Sequence, residues 1–96
     1  MPTYVTLSHF ADQGIKSVKD TVKRSEAFRT AAKAAGVTVK EILWTQGQHD
    51  IVTVVEGPEE AVAALGLGVA KLGNISSHTL RGFTAAEMER ILAKVS

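Results

Sequence analysis

The sequence predicts an α+β domain, and three observations carry that prediction. Runs with a two-residue apolar period alternate with runs of helical period, and glycines stand where the period changes. The two central strand-like runs are joined by only four residues, Gly47 to Asp50, which obliges them to pair as an antiparallel hairpin.

Residues 3–10, TYVTLSHF, set Val5 and Leu7 against Thr6 and Ser8 and read as a first strand. From Asp12 to Ala35 the period becomes helical, with Ile15, Val18 and Val22, then Phe28, Ala31, Ala32 and Ala35, before Gly36 as a stop. The stripe slips after Val22, beside Asp20-Thr21. A short turn over residues 12–19 and a main helix with Thr21 as N-cap are therefore expected. Residues 37–46 and 51–56 form the next two strands. Gly57-Pro58 breaks the second of these, and Glu59 and Glu60 suit the positive end of a helix running to about Leu72. Gly66 and Gly68 inside that helix cost helix propensity, and close packing on the sheet is the expected compensation. Gly73-Asn74 ends the helix and residues 75–83 form a fourth strand. A last helix opens with the capping box Thr84 and Glu87 and carries Met88, Ile91, Leu92 and Val95 on one face.

The order βαββαβ plus a C-terminal helix is that of a ferredoxin-like domain, with strands arranged 4-1-3-2 and both main helices on one sheet face. The second face must also be covered. Strand two shows Val39 and Leu43 to one side and Ile42 and Trp44 to the other, and strand three is apolar on both. Leaving such a face in water would forgo several kcal/mol at about 25 cal/mol per Å². Packing against a second copy, as a homodimeric α+β barrel or a larger assembly of dimers, is the economical expectation, with Trp44 as an interface anchor and a cavity at that interface. The C-terminal helix is the other possible cover.

At 96 residues the chain makes one domain over 1–96, able to bury roughly 65% of the surface its unfolded form exposes. It has no cysteine, so a disulfide framework, a thiolate nucleophile and a zinc-finger spacing are excluded. A net charge of +1 argues against nucleic acid or a membrane surface as partner. The start MPTYVTLSHF lacks a basic region followed by an apolar core, leaving the cytoplasm as the default expectation. Between Lys16 and Arg29 five basic residues outnumber Asp20 and Glu26, a pattern that reads first as a solvated helix face and second as a site for an anionic small ligand.

Walker, Rossmann, G-x-S-x-G and H-E-x-x-H patterns are absent, so no cofactor is expected. The candidates for chemistry are few. Gly47 can supply a positive φ and Asp50 can bond turn amides; alternatively, His49 and Asp50 form an acid/base pair at a cavity mouth. Pairing Leu7 with Leu80 would set His9 opposite His78, but a metal would want a third ligand and none is expected. Trp44, His9, His78 and Arg81 are the candidate ligand-binding residues.

Several segments together resemble the GYD-domain family, named for glycine, tyrosine and aspartate near the central hairpin. They are Asp12-Gln13-Gly14-Ile15, Lys19-Asp20 with Lys23-Arg24, Trp44-Thr45 with Gly47 and Asp50, Leu72-Gly73-Asn74-Ile75, and Thr79-Leu80. His49 stands where that family's tyrosine is usual, and Val22 where a proline is common. The resemblance implies a dimeric α+β barrel, a group containing cofactor-free monooxygenases, haem enzymes and proteins of no known activity, and so implies no particular reaction. Two functional readings follow: a small-molecule binding domain or cofactor-free enzyme, and a module whose role is self-association.

Overall fold

The computed structural model describes all residues, 1–96. Four strands, β1 (Thr3–Phe10), β2 (Thr38–Trp44), β3 (Ile51–Glu56) and β4 (Ile75–Gly82), form one antiparallel sheet in the order β2-β3-β1-β4. The helices are α1 (Asp12–Lys16), α2 (Thr21–Ala34), α3 (Glu59–Ala70) and α4 (Ala85–Leu92), with a 3-10 turn at Val18–Asp20. The expected ferredoxin-like α+β architecture is therefore present.

The helix break falls where the apolar stripe slips, but Ile15, Val18 and Val22 all remain exposed. Thr21 is the first helical residue rather than the cap, a position taken by Asp20, and its hydroxyl accepts a hydrogen bond from the Trp44 indole at 3.0 Å. A compact core lies at the far end of α2, where Ala32, Val37, Val55 and Val62 are buried and Tyr4, Phe28, Val39 and Leu65 pack around them. The capping box at Thr84 and Glu87 forms as expected. The Thr84 amide, and the Arg81 guanidinium beside it, hold the Glu87 carboxyl below its ordinary pKa.

Two details of the sheet overturn expectations. A β-bulge at Lys40 inserts one extra residue between the pairs Val39–Val55 and Glu41–Val54. Val39, Ile42 and Trp44 consequently share the face that meets the helices, while Glu41 and Leu43 take the opposite one. Trp44 is thus absent from the face expected to bear the dimer. The β1–β4 register is also shifted by two residues: Val5 faces Leu80, Leu7 faces His78, and His9 faces Ser76 rather than His78. A two-residue slip leaves every side chain on its own face, so apolar alternation does not choose between the registers. In the observed one the hydroxyls meet, Thr6 with Thr79 at 3.2 Å and Ser8 with Ser77 at 2.8 Å.

Candidate functional site

Between the sheet and helices α2 and α3 lies a cleft of about 1040 Å³. Gly66 and Gly68 line the cleft, and a Cβ built at either would meet nothing within 4 Å. Close packing of these glycines on the sheet, the sequence expectation, is therefore not what they provide; α3 leaves open space over the sheet. Leu67 on the same helix is 72% exposed.

The cleft walls are mostly apolar, among them Phe28, Ile42, Trp44, Ile51 and Leu65. Its floor is a band of hydroxyls, Thr6, Ser8, Thr53, Ser77 and Thr79, contributed by the three strands β1, β3 and β4. Such a combination of apolar walls with a few placed polar groups is typical of small-molecule sites.

One end of the cleft is held rigidly by the motif segments. Gln13 donates from Nε2 to the Leu72 carbonyl at 3.1 Å and to Asn74 Oδ1 at 2.9 Å, and the Ala11 amide donates to the Asn74 carbonyl at 2.9 Å. Gly14 is buried against the same loop, so closely that a Cβ there would lie 1.9 Å from the Asn74 carbonyl oxygen. This close approach admits only glycine. Arg24, half-buried in the first turn of α2, donates to the carbonyls of Ser17 at 3.0 Å and Gly14 at 3.3 Å. Of the five basic residues between Lys16 and Arg29, Arg24 alone lines the cleft.

The hairpin residues divide between turn and strand. Gly47 adopts φ +119°, as the turn requires. Asp50 does not bond a turn amide. Its Oδ2 accepts from the Phe10 amide at 2.8 Å, closing the end of β1, while its own amide donates to the Ser8 carbonyl at 2.8 Å. Thr45 completes the closure by donating its hydroxyl to the His49 carbonyl at 2.6 Å and its amide to the Asp50 carbonyl at 2.8 Å.

The sequence-derived candidates are therefore distributed over three places. Trp44 lines the cleft. His9 and His78 lie on the other sheet face, where His9 meets His49 instead, with ring centroids 4.9 Å apart and planes tilted by 42°. No hydrogen bond joins His49 to the Asp50 side chain, and His49 Nδ1 is buried without a partner. Arg81 sits near the end of β4, bonded to the carbonyls of Thr3 and Gly82, paired with Glu87 of α4 at 3.4 Å, and stacked over Phe83 at 4.5 Å. No group of three or more metal-ligating side chains is assembled. Sequence reasoning missed the hydroxyl floor and the role of Arg24. The alternation Thr6, Ser8 and Ser77, Thr79 was the available signal for the floor; no local signal distinguishes Arg24 from its basic neighbours.

These features define a ferredoxin-like α+β domain with a helix-side cleft. The chain belongs to the GYD-domain family, whose sequence model matches residues 4–92. No curated protein matches the chain.

Proposed function

We propose that this domain binds a small, largely apolar molecule in the cleft between its sheet and helices α2 and α3. The observation that carries this reading is the cleft itself, a space of about 1040 Å³ with apolar walls, a hydroxyl floor and two wall glycines in α3 beside which space is open. That size is at the upper end of ligand pockets, which run to about 1,000 Å³. A cofactor-free enzyme would use the same cavity. A His49–Asp50 acid/base pair would have to act from the hairpin, and Asp50 is already engaged by the Phe10 amide.

A test uses Nile red, a neutral apolar dye, with wild type and Gly68→Leu, whose side chain would occupy open space in the cleft. The expected result is saturable dye fluorescence with wild type and at least a tenfold weaker response, on the order of the loss for a blocked pocket, in a variant that melts no lower. Absence of saturable binding, or binding indifferent to Gly68→Leu, defeats the reading.

Self-association is the second reading, and a separate observation favours it. The face opposite the cleft presents Val5, Leu7, Val52 and Val54 with Leu43 and Leu80, the last two each 52% exposed. Both main helices line the cleft on the other side. The apolar stripe of α4 stays exposed as well, at Met88 and Leu92, as does Val95 beyond its end. An apolar face of this kind is suited to a second copy of the chain in a homodimer. The two readings are compatible, because the cleft and the open face lie on opposite sides of one sheet.

A further inference from the structure

Among the residues lining the cleft only two carry a formal charge, Arg24 and Glu59. They stand at opposite ends. Glu59 opens α3 beyond the Val55 end of β3, whereas Arg24 belongs to the first turn of α2, where Thr21 binds the indole of Trp44. Every acceptor that Arg24 meets is neutral: the Ser17 carbonyl, the Ser17 hydroxyl at 3.3 Å and the Gly14 carbonyl. The chain's two ion pairs, Lys40 with Glu56 and Arg81 with Glu87, are formed elsewhere.

The Arg24 charge is thus positioned by backbone and left unneutralised at the edge of an apolar cavity. Its fork has five N–H donors, and three bonds leave two of them, Nε–H included, without a protein acceptor. The N-cap residue of α2 is Asp20, but its carboxylate caps no amide, lies outside the cleft lining and pairs with neither Arg24 nor any other cation, and the first turn of the helix contains no acidic residue. Nearby polar groups are already committed, Ser25 to the Val22 carbonyl and Asn74 Oδ1 to Gln13. The lining of this end of the cleft contains no anion, and a planar guanidinium is matched by a carboxylate.

We infer that the ligand of the cleft is an apolar monocarboxylate, its carboxylate seated on Arg24 and its body lying along Trp44, Phe28 and Ile42. This inference rests on the binding reading above. Glu59 at the far end disfavours a second anionic group there.

Trp44 is the chain's single tryptophan and is 43% exposed, so its fluorescence reports filling of the cleft. Wild type is titrated at pH 7 with decanoate and with decan-1-ol, which share an apolar body and differ in charge. Both should bind saturably, the acid about tenfold or more tightly, as expected for a charge-assisted hydrogen bond. In Arg24→Gln that advantage should vanish while decanol affinity is kept, which also shows the variant to be folded; Arg24→Lys should keep part of the advantage. Equal affinities for acid and alcohol in wild type, or an acid preference that survives in folded Arg24→Gln, overturn the carboxylate assignment and leave the cleft reading standing. If neither compound binds wild type, both fall. If Arg24→Gln fails to fold, Arg24→Lys is the deciding variant, and an acid preference undiminished in it overturns the assignment.

Discussion

The two faces of the sheet are built from opposite chemistry, and not in the usual sense. Beneath the helices, where a core is ordinarily apolar, strands β1, β3 and β4 present Thr6, Ser8, Thr53, Ser77 and Thr79. The face without a helix layer presents Val5, Leu7, Val52, Val54 and Leu80. Burial of apolar surface is the main stabilising term in folding, so an apolar open face is a surface still to be buried. Hydroxyls under a helix layer are tolerable where they pair, as Ser8 does with Ser77, or where they border a cavity. The core proper is confined to one end, around Ala32, Val37, Val55 and Val62. The difference teaches that β1 and β4 turn their aliphatic residues outward and their small hydroxyl residues toward the space between the layers.

Breaking the open face should give the largest effect. Val54→Asp places a carboxylate at the centre of that face, and the homodimer, if the second reading holds, should be lost entirely at micromolar concentration, with monomer or precipitate seen by light scattering. A wild-type protein that is itself a monodisperse monomer would remove the contrast between the faces as an argument for self-association.

The cleft side is sharpened by Gly14→Ala. A methyl group set 1.9 Å from the Asn74 carbonyl oxygen forces α1 and the α3–β4 loop apart. Denaturant unfolding should show a loss of about 2–4 kcal/mol, the range of a severe backbone or packing conflict. A loss under about 1 kcal/mol would mean that the cleft's end is not rigidly held.

The smallest effects concern the hairpin. Asp50→Ala removes the acceptor for the Phe10 amide and should cost about 1 kcal/mol, whereas His49→Ala should be nearly silent because Nδ1 has no partner to lose. Thermal melts of the two variants separate these outcomes. A large loss on removing His49 alone would show that its stack on His9 contributes to the open face more than the geometry implies.

Much of this was legible from local pattern. Strand β1 at Thr3–Phe10 and strand β3 at Ile51–Glu56 follow from alternation, the helix break from a slipped stripe, and the α4 cap from Thr84 and Glu87 three residues apart. The strand order follows from the order of elements, because right-handed crossovers leave few alternatives. Each of these is a matter of a few neighbouring residues or of chain connectivity.

What only the tertiary structure decided has a common physical cause: it depends on which residue meets which across the sheet. A single bulged residue, Lys40, carries Val39 to the side of Trp44, and no property of β2 alone marks it. The β1–β4 register, and with it the exchange of a His9–His78 pair for a His9–His49 one, rests on cross-strand hydroxyl contacts that alternation does not rank. Gly66 and Gly68 read equally well as close packing or as open space until the distance of α3 from the sheet is known. Composition and periodicity set the elements and their order. The cleft, and the one arginine turned toward it, are consequences of how far apart the packed layers stand.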